Sequence, residues 1–399
     1  MLLRPIVHNT DIRRLQDEGY EVEIRNGHLL VHSVPYVTSQ RTVDFGIIVS
    51  DLNGPLETLA RPKDHQVWFS GEFPCNSAGK PIEALRHSGG QALWTGFAVQ
   101  HRFSNKPASG FPDYYSKMKS YINIISNEAR VVDPQAVPCA GRVILPVPDD
   151  CSVFRYFDFA SSRSNILAVS DKLALKQKIM IVGLGGTGAY VLDLLAKTPV
   201  REIHLFDGDI FKQHNAFRAP GAASIDDLNK RRPKVEYYAE IYSTMRHGLV
   251  PHHVFINPEN IDLLVDADFV FICVDTGASR KVISKYLREK GIPFVDVGMD
   301  LQLMPEENEI FGTCRATLAT PDTHDHFDSY APQGADTNDD LYRSNIQVAD
   351  MNALNAALAV LKWKQFCGFY RDHFEPHHTT FSVDSHSLTR DVMKAGESF

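Results

Sequence analysis

The chain has few features that would remove it from ordinary protein solution chemistry. Its six cysteines in 399 residues (Cys75, Cys139, Cys151, Cys273, Cys314 and Cys367) lie far apart. They form no CxxC pair, so neither a zinc site nor a small-protein disulfide framework is expected. No run of about 18 apolar residues occurs, so no membrane-spanning helix is expected. The net charge is −8, which gives no electrostatic reason to expect a nucleic-acid partner. The first thirty residues carry Asp11, Asp17, Glu18, Glu21 and Glu23 without an apolar block, unlike a secretion signal. A reducing, cytoplasmic setting is the simplest expectation. No internal repeat is found.

What is present is the composition of a globular protein, 43% apolar and 23% charged, long enough for two or three domains. Residues 1–130 read as strands first and a helix last. "YEVEIRNGHLLVHSVPYV" alternates around the turn-forming Asn26–Gly27, and "HQVWFSGEF" and "LWTGFAVQHRF" continue the strand pattern. "DYYSKMKSYINIISNEA" places Met118, Tyr121, Ile122 and Ile125 at helical spacing. Residues 131–150, rich in Pro and Asp, read as a linker. From 151 to 399 strands and helices alternate, with strands expected at 178–182, 203–206, 253–256, 268–274 and 293–297. The polar stretch "ATPDTHDHFDSYAPQGADTNDDLYRS" reads as a functional loop. A long helix follows over 346–370, ending near Gly368, and "TTFSVDSHSL" reads as a final strand. The expected class is therefore α/β, a mainly parallel sheet with helices on both faces, preceded by a smaller, β-rich α+β domain.

The chemistry is concentrated in "KIMIVGLGGTGAYVLDLLAKTPVREIHLFDGDIFKQHNAFR". Gly183, Gly185 and Gly188 fit G-x-G-x-x-G between a strand and a helix. In that pattern the first glycine makes the tight turn, the second admits a phosphate and the third allows close helix–strand packing. Asp207 follows at a strand end, where a carboxylate can hold ribose hydroxyls. That much suits any dinucleotide. What comes next does not, because Asp209, Asn215, Arg218 and Lys234 follow, then Asp275 with Arg280 five residues on, and Asp207, Asp209 and Asp275 are expected to converge outside the strand C-termini. Hydride transfer has no need of so many charges around a phosphate chain, whereas adenylyl transfer does. Attack of a carboxylate on an α-phosphate builds charge on the phosphoryl oxygens, and Arg, Lys and Mg²⁺ are the groups that stabilise it.

The glycine loop, the D-x-D…N-x-x-R run from Asp207 to Arg218, Lys234 and the Asp275…Arg280 pair occur in the order found in one family. Over roughly residues 155–388 the chain resembles the ThiF/MoeB type of adenylyltransferase, which includes the ubiquitin-activating enzymes. The resemblance implies a Rossmann-like fold. Gly183, Gly185, Gly186 and Gly188 would line the phosphates of ATP and Asp207 would hold the ribose. Asn215, Arg218 and Lys234 would contact the triphosphate, Asp209 would orient Arg218 or Lys234, and Asp275 would bind Mg²⁺. It further implies a homodimer in which Arg163, with Arg155 as an alternative, reaches the second copy's ATP. Its substrate would be the C-terminal carboxylate of a ubiquitin-like or sulfur-carrier protein, threaded under the 318–343 loop.

Relatives that conjugate ubiquitin-like proteins pass the acyl group to a cysteine and then to a conjugating enzyme. Cys314, beside Arg315, is the cysteine in that region, and a neighbouring cation favours thiolate. Three alternatives are a small apolar filler role, a hydroxyl acceptor such as Thr313 or Thr317, and direct transfer from the adenylate. His324 and His326 are candidate metal ligands or residues of a solvated loop, and no zinc is expected. In the N-terminal region "FPCNSAGKPI" resembles the turn of conjugating enzymes, but Glu83 stands where the reactive thiol would follow. Residues 1–130 are therefore expected to be a recruiting or conjugating-enzyme-like module. The main expectation is activation of a ubiquitin-like protein in a bacterial-type conjugation pathway. Its rivals are a sulfur-carrier adenylyltransferase of cofactor biosynthesis, a nicotinamide or flavin oxidoreductase and a non-catalytic nucleotide-binding scaffold.

Overall fold

The computed structural model describes residues 9–53, 61–94, 96–107, 109–138, 152–156, 158, 160–161, 166–331, 346–375 and 377–391. The chain divides into two compact units, Met1–Ala168 and Val169–Phe399. In the first, helix α1 (Thr10–Asp17) is capped by Asn9, whose side chain accepts the N–H groups of Asp11 and Ile12. Strands β1 (Glu21–Arg25), β2 (His28–Val37), β3 (Val43–Asp51), β4 (Val67–Ser70), β5 (Arg86–Trp94) and β6 (Phe97–Phe103) follow. They form one antiparallel sheet in the order β1-β2-β3-β4-β6-β5. Asn26 and Gly27 both take positive φ, 49° and 76°, as a two-residue hairpin turn requires. Helix α2 (Tyr114–Val132) buries Met118, Tyr121, Ile122 and Ile125 with Leu29, Val31, Phe69 and Phe103 of the sheet. Helix α1 was not expected from the sequence. It buries only Ile12 and Leu15, too few positions for a periodicity to be seen.

The second unit holds β7 (Lys178–Val182), β8 (Glu202–Phe206), β9 (Leu249–His252), β10 (Phe269–Ile272), β11 (Phe294–Met304), β12 (Glu309–Ala319), β13 (His378–Ser382) and β14 (Ser387–Asp391). Their order in the sheet is β14-β13-β12-β11-β10-β7-β8-β9. From β9 through β8, β7 and β10 to β11 the pairing is parallel, and from β11 to β14 it is antiparallel. The longer helices are α3 (Gly186–Ala196), α4 (Lys234–Ser243), α5 (Gly277–Glu289) and α6 (Ala349–Phe366). Ile179 and Ile181 of β7 face a core completed by Leu192 of α3, Tyr238 of α4 and Trp363 of α6. Met180 and Val182 face the opposite core, completed by Ile283 and Leu287 of α5. Burial on both faces explains why this strand reads as an unbroken apolar run. The fold is α/β, with a mixed sheet whose parallel part has helices on both faces.

Three strands depart from the expected spans. The strand expected at 253–256 lies at Leu249–His252 and includes Pro251, which an edge strand tolerates. Strand β11 runs to Met304 because it continues as a hairpin with β12. The final strand is itself a hairpin, β13 with β14.

Candidate functional site

Strand β7 has β10 on one side and β8 on the other, so the chain reverses direction across the sheet there. In open α/β sheets ligands bind at such a switch point, outside the strand C-termini. A cavity of about 330 Å³ occupies that place, running from Phe206 at the end of β8 to Met299 in β11.

The loop after β7 is shaped by close approaches. Gly183 takes φ 94°, and a Cβ on it would stand 2.5 Å from the Cys273 carbonyl oxygen. At Gly188 a Cβ would be 1.9 Å from the Gly183 oxygen, and at Gly186 2.2 Å from Asn352. No side chain fits at these three positions. Gly185, the N-cap of α3, differs, since a Cβ there meets nothing within 4 Å and the space in front of it is the cavity. The free N–H groups of the helix N-terminus make this end of α3 suited to an anion.

Asp207, just after β8, is a buried carboxylate. Its Oδ2 accepts the Leu184 N–H at 2.7 Å and its Oδ1 accepts the Asp209 N–H at 2.8 Å, so it ties the glycine loop to β8. Lys234, in the first turn of α4 and only 7% exposed, places Nζ 2.7 Å from Asp209 and 3.4 Å from Asp207. That hydrogen bond holds the Asp209 carboxyl below its ordinary range. Asn215 accepts the Lys212 N–H at 2.9 Å and receives the Arg218 N–H on its carbonyl, so it shapes the turn that presents Arg218. Arg218 lines the cavity, and its buried Nε has no acceptor among the described residues. Asp275, just beyond β10, is exposed on the cavity wall. Among the described residues it has no hydrogen-bond or ion-pair partner.

One cavity thus gathers Gly183, Gly185, Gly186, Asp207, Asp209, Arg218, Lys234 and Asp275. Gly188 and Asn215 lie behind its wall as packing and turn residues. Arg163 falls outside the described residues. Among the described residues no group of three or more His, Cys, Asp or Glu side chains could hold a metal by itself. Magnesium is commonly held by one or two carboxylates plus substrate phosphates, a pattern that the single unpartnered Asp275 fits.

Cys314 is placed in the middle of β12, opposite Met299 and Phe381 and fully buried with Leu301 and Met351. Burial pushes its thiol up to about 11. Arg315, expected beside it, projects from the other face of the strand, because successive residues alternate. There it pairs with Asp296 at 2.8 Å, so it cannot favour a Cys314 thiolate. His326 is buried, with Nε2 hydrogen-bonded to the Leu318 carbonyl at 2.9 Å. In the N-terminal unit Cys75 is buried and its thiol is raised by burial, while Asn76 Oδ1 accepts the N–H groups of Ala78 and Lys80.

Sequence reasoning missed several residues of the site. Asn352 on α6 is fully buried, accepts the Thr187 hydroxyl at 2.8 Å and donates to the Arg218 carbonyl at 3.4 Å. It therefore clamps the glycine loop to the Arg218 turn. Asn355, one turn on, donates to the Gly298 carbonyl at 3.0 Å. Two asparagines at i and i+3 on an apolar helix were a readable signal of a buried polar face. Arg280, expected near Asp275, bonds Asp296 at 2.8 Å and the Val274 carbonyl at 2.9 Å. The Arg280–Asp296–Arg315 cluster joins a helix and two strands, a juxtaposition that spacing cannot reveal.

Doubly wound topology and a phosphate-type loop with its charges define the class as a nucleotide-binding α/β protein. Comparison narrows it, since the model of the ThiF family matches residues 164–396, more than half of the chain. The chain belongs to the ThiF family. Residues 10–159 match DUF6791, a domain of unknown function. The "Adenylyltransferase and sulfurtransferase UBA4" of Meyerozyma guilliermondii is 26% identical over 225 residues, covering 54% of this chain and 49% of that protein. Its counterpart from Yarrowia lipolytica is 30% identical over 131 residues, 32% of each. The chain thus spans about half the length, or less, of these relatives. Among solved structures, E. coli MccB with MccA is 21% identical, with a TM-score of 0.47 over 59% of this chain and 70% of that one. PaaA is 17% identical, with a TM-score of 0.44 over 57% and 76%.

Proposed function

We propose that this protein is an ATP-dependent adenylyltransferase that activates the C-terminal carboxylate of a small sulfur-carrier or ubiquitin-like protein. The observation that carries this reading is the convergence of Gly185, Arg218, Lys234 and Asp275 on one cavity. In the reaction a carboxylate oxygen attacks the α-phosphorus and forms the acyl–phosphate bond. The bond to the bridging oxygen of the β-phosphate breaks, and pyrophosphate leaves with its electron pair. Arg218 offers its Nε–H, which has no acceptor among the described residues, to the phosphoryl oxygens. Lys234, held by Asp207 and Asp209, sets a second positive charge beside the glycine loop, and such preorganised charge stabilises the developing anion. Magnesium, held by Asp275 and the phosphates, would supply further charge neutralisation there.

Of the acceptors weighed from the sequence, the sulfur carrier has more support, because the curated relatives carry adenylyltransferase and sulfurtransferase in their names. The conjugation reading, with its conjugating-enzyme partner, loses support from the enclosed position of Cys314. A cytoplasmic homodimer with Arg163 reaching the second copy's nucleotide belongs to the same proposal by resemblance. The test is ATP–pyrophosphate exchange with ubiquitin-fold carriers. Exchange is expected to need the free C-terminal carboxylate and to fall by about 10²–10³ in Asp275→Ala, with ATP still bound. Exchange that survives in that variant, or NADH bound in place of ATP, overturns the proposal.

A further inference from the structure

The cavity changes chemistry along its length. It crosses β8, β7, β10 and β11, three interstrand steps or roughly 14 Å. The β8 end is apolar, with Phe206, Val254, Phe255 and Ile256, and suits a base. The middle holds the glycine loop with Arg218 and Lys234, and suits phosphates. At the β11 end the wall is formed by Val297, Gly298 and Met299 with Asn355 and Gln347. Asn355 is 1% exposed, and its Nδ2 donates to the Gly298 oxygen at 3.0 Å. Among the described residues its buried Oδ1 has no donor, and neither has the buried Gln347 Oε1. The Gly298 bond fixes the orientation of the Asn355 amide, because a flip would set oxygen against oxygen. Buried acceptors without donors are rare and costly, so both oxygens await an N–H or O–H. A polyphosphate, which only accepts, cannot supply one.

We infer that the β11–α6 wall seats the main chain of the acceptor tail. This rests on the adenylation reading and adds the chemistry that selects the substrate. Asn355 Oδ1 accepts the N–H of the terminal residue whose carboxylate is activated, and Gln347 Oε1 accepts an N–H further up the tail. Arg280, held by Asp296, lines the same end and offers positive charge to the carboxylate. The substrate class is an extended peptide C-terminus with a free terminal N–H, which excludes proline or an N-methylated residue at the last position.

The test uses the full chain with a ubiquitin-fold carrier ending in Gly-Gly and the same carrier ending in Gly-sarcosine, in ATP–pyrophosphate exchange. Sarcosine is expected to lower kcat/KM for the carrier at least tenfold, with KM for ATP within twofold. Asn355→Leu is expected to lose a similar factor with the Gly-Gly carrier and to show little further loss with sarcosine, as coupled partners do. Equal kcat/KM for the two carriers overturns the inference, and so does a variant that weakens ATP instead of the carrier. If Asn355→Leu fails to fold, the two carriers on the natural protein decide alone. No exchange with any Gly-Gly carrier, despite ATP binding, sinks the adenylation reading and this inference with it.

Discussion

Lys234 and His378 show how burial sets the behaviour of single side chains in the second unit. Lys234 is the only cation ion-paired with the Asp207 and Asp209 carboxylates among the described residues. Lys234→Met leaves a buried Asp207 without it and is expected to cost roughly 3 kcal/mol. Melting and ATP titration would be measured, and a variant with unchanged values would refute the assigned role. His378 bonds Thr317 and Thr380 through its two ring nitrogens, and burial, with Arg315 nearby, lowers it from 6.5 to about 4. The folded state therefore keeps it neutral where the unfolded chain binds a proton. Its contribution is complete above 6.5 and is lost as pH falls toward about 4. His378→Gln is expected to flatten the dependence of Tm on pH in that window, and an unchanged slope would count against it. Asp209 works in the carboxylate direction. Held low by Lys234, it stabilises above its ordinary range and ceases to do so as pH drops through its folded value.

The glycine loop gives an element-level contrast. Gly188→Ala drives a methyl group into the Gly183 carbonyl, an overpacking expected to cost roughly 1–3 kcal/mol and to lower Tm by several degrees. Gly185→Ala fills open space in a backbone conformation that alanine accepts (φ −72°, ψ −154°). It should keep its Tm within about 1 °C, because no strain or cavity is introduced. Its ATP dissociation constant should nevertheless rise at least tenfold, because the methyl occupies the phosphate cradle. Calorimetric melting beside ATP titration separates the two, and equal behaviour of the variants would mean that Gly185 does not face the nucleotide. Helix α6 acts as a clamp on this loop. Asn352 holds Thr187 and the Arg218 turn together, a function that its alanine-rich sequence conceals.

Across the chain as a whole, the two units have separate cores, and all cavity-lining residues fall in the second. Ile122→Ala in the first core is expected to cost about 2–5 kcal/mol and to lower the melting transition of that unit. ATP affinity should stay within twofold. A parallel loss of ATP binding would mean that the first unit contributes to the nucleotide site.

Local pattern was enough to place strands β7, β8 and β10 and the glycine loop, because strand burial on both faces and a phosphate turn each leave a mark within a few consecutive residues. The same holds for α2, whose stripe repeats over five turns, and for the Asn26–Gly27 hairpin. Position in three dimensions decided the rest. Cys314 and Arg315 are neighbours in the chain but lie on opposite faces of β12, and the pleat removes the cation from the thiol. Asn352, Asn355, Asp296 and Arg315 reach the site or its support from residues far along the chain. Their role depends on sheet order and hairpin register, which arise from long-range pairing and cannot be read from adjacent residues.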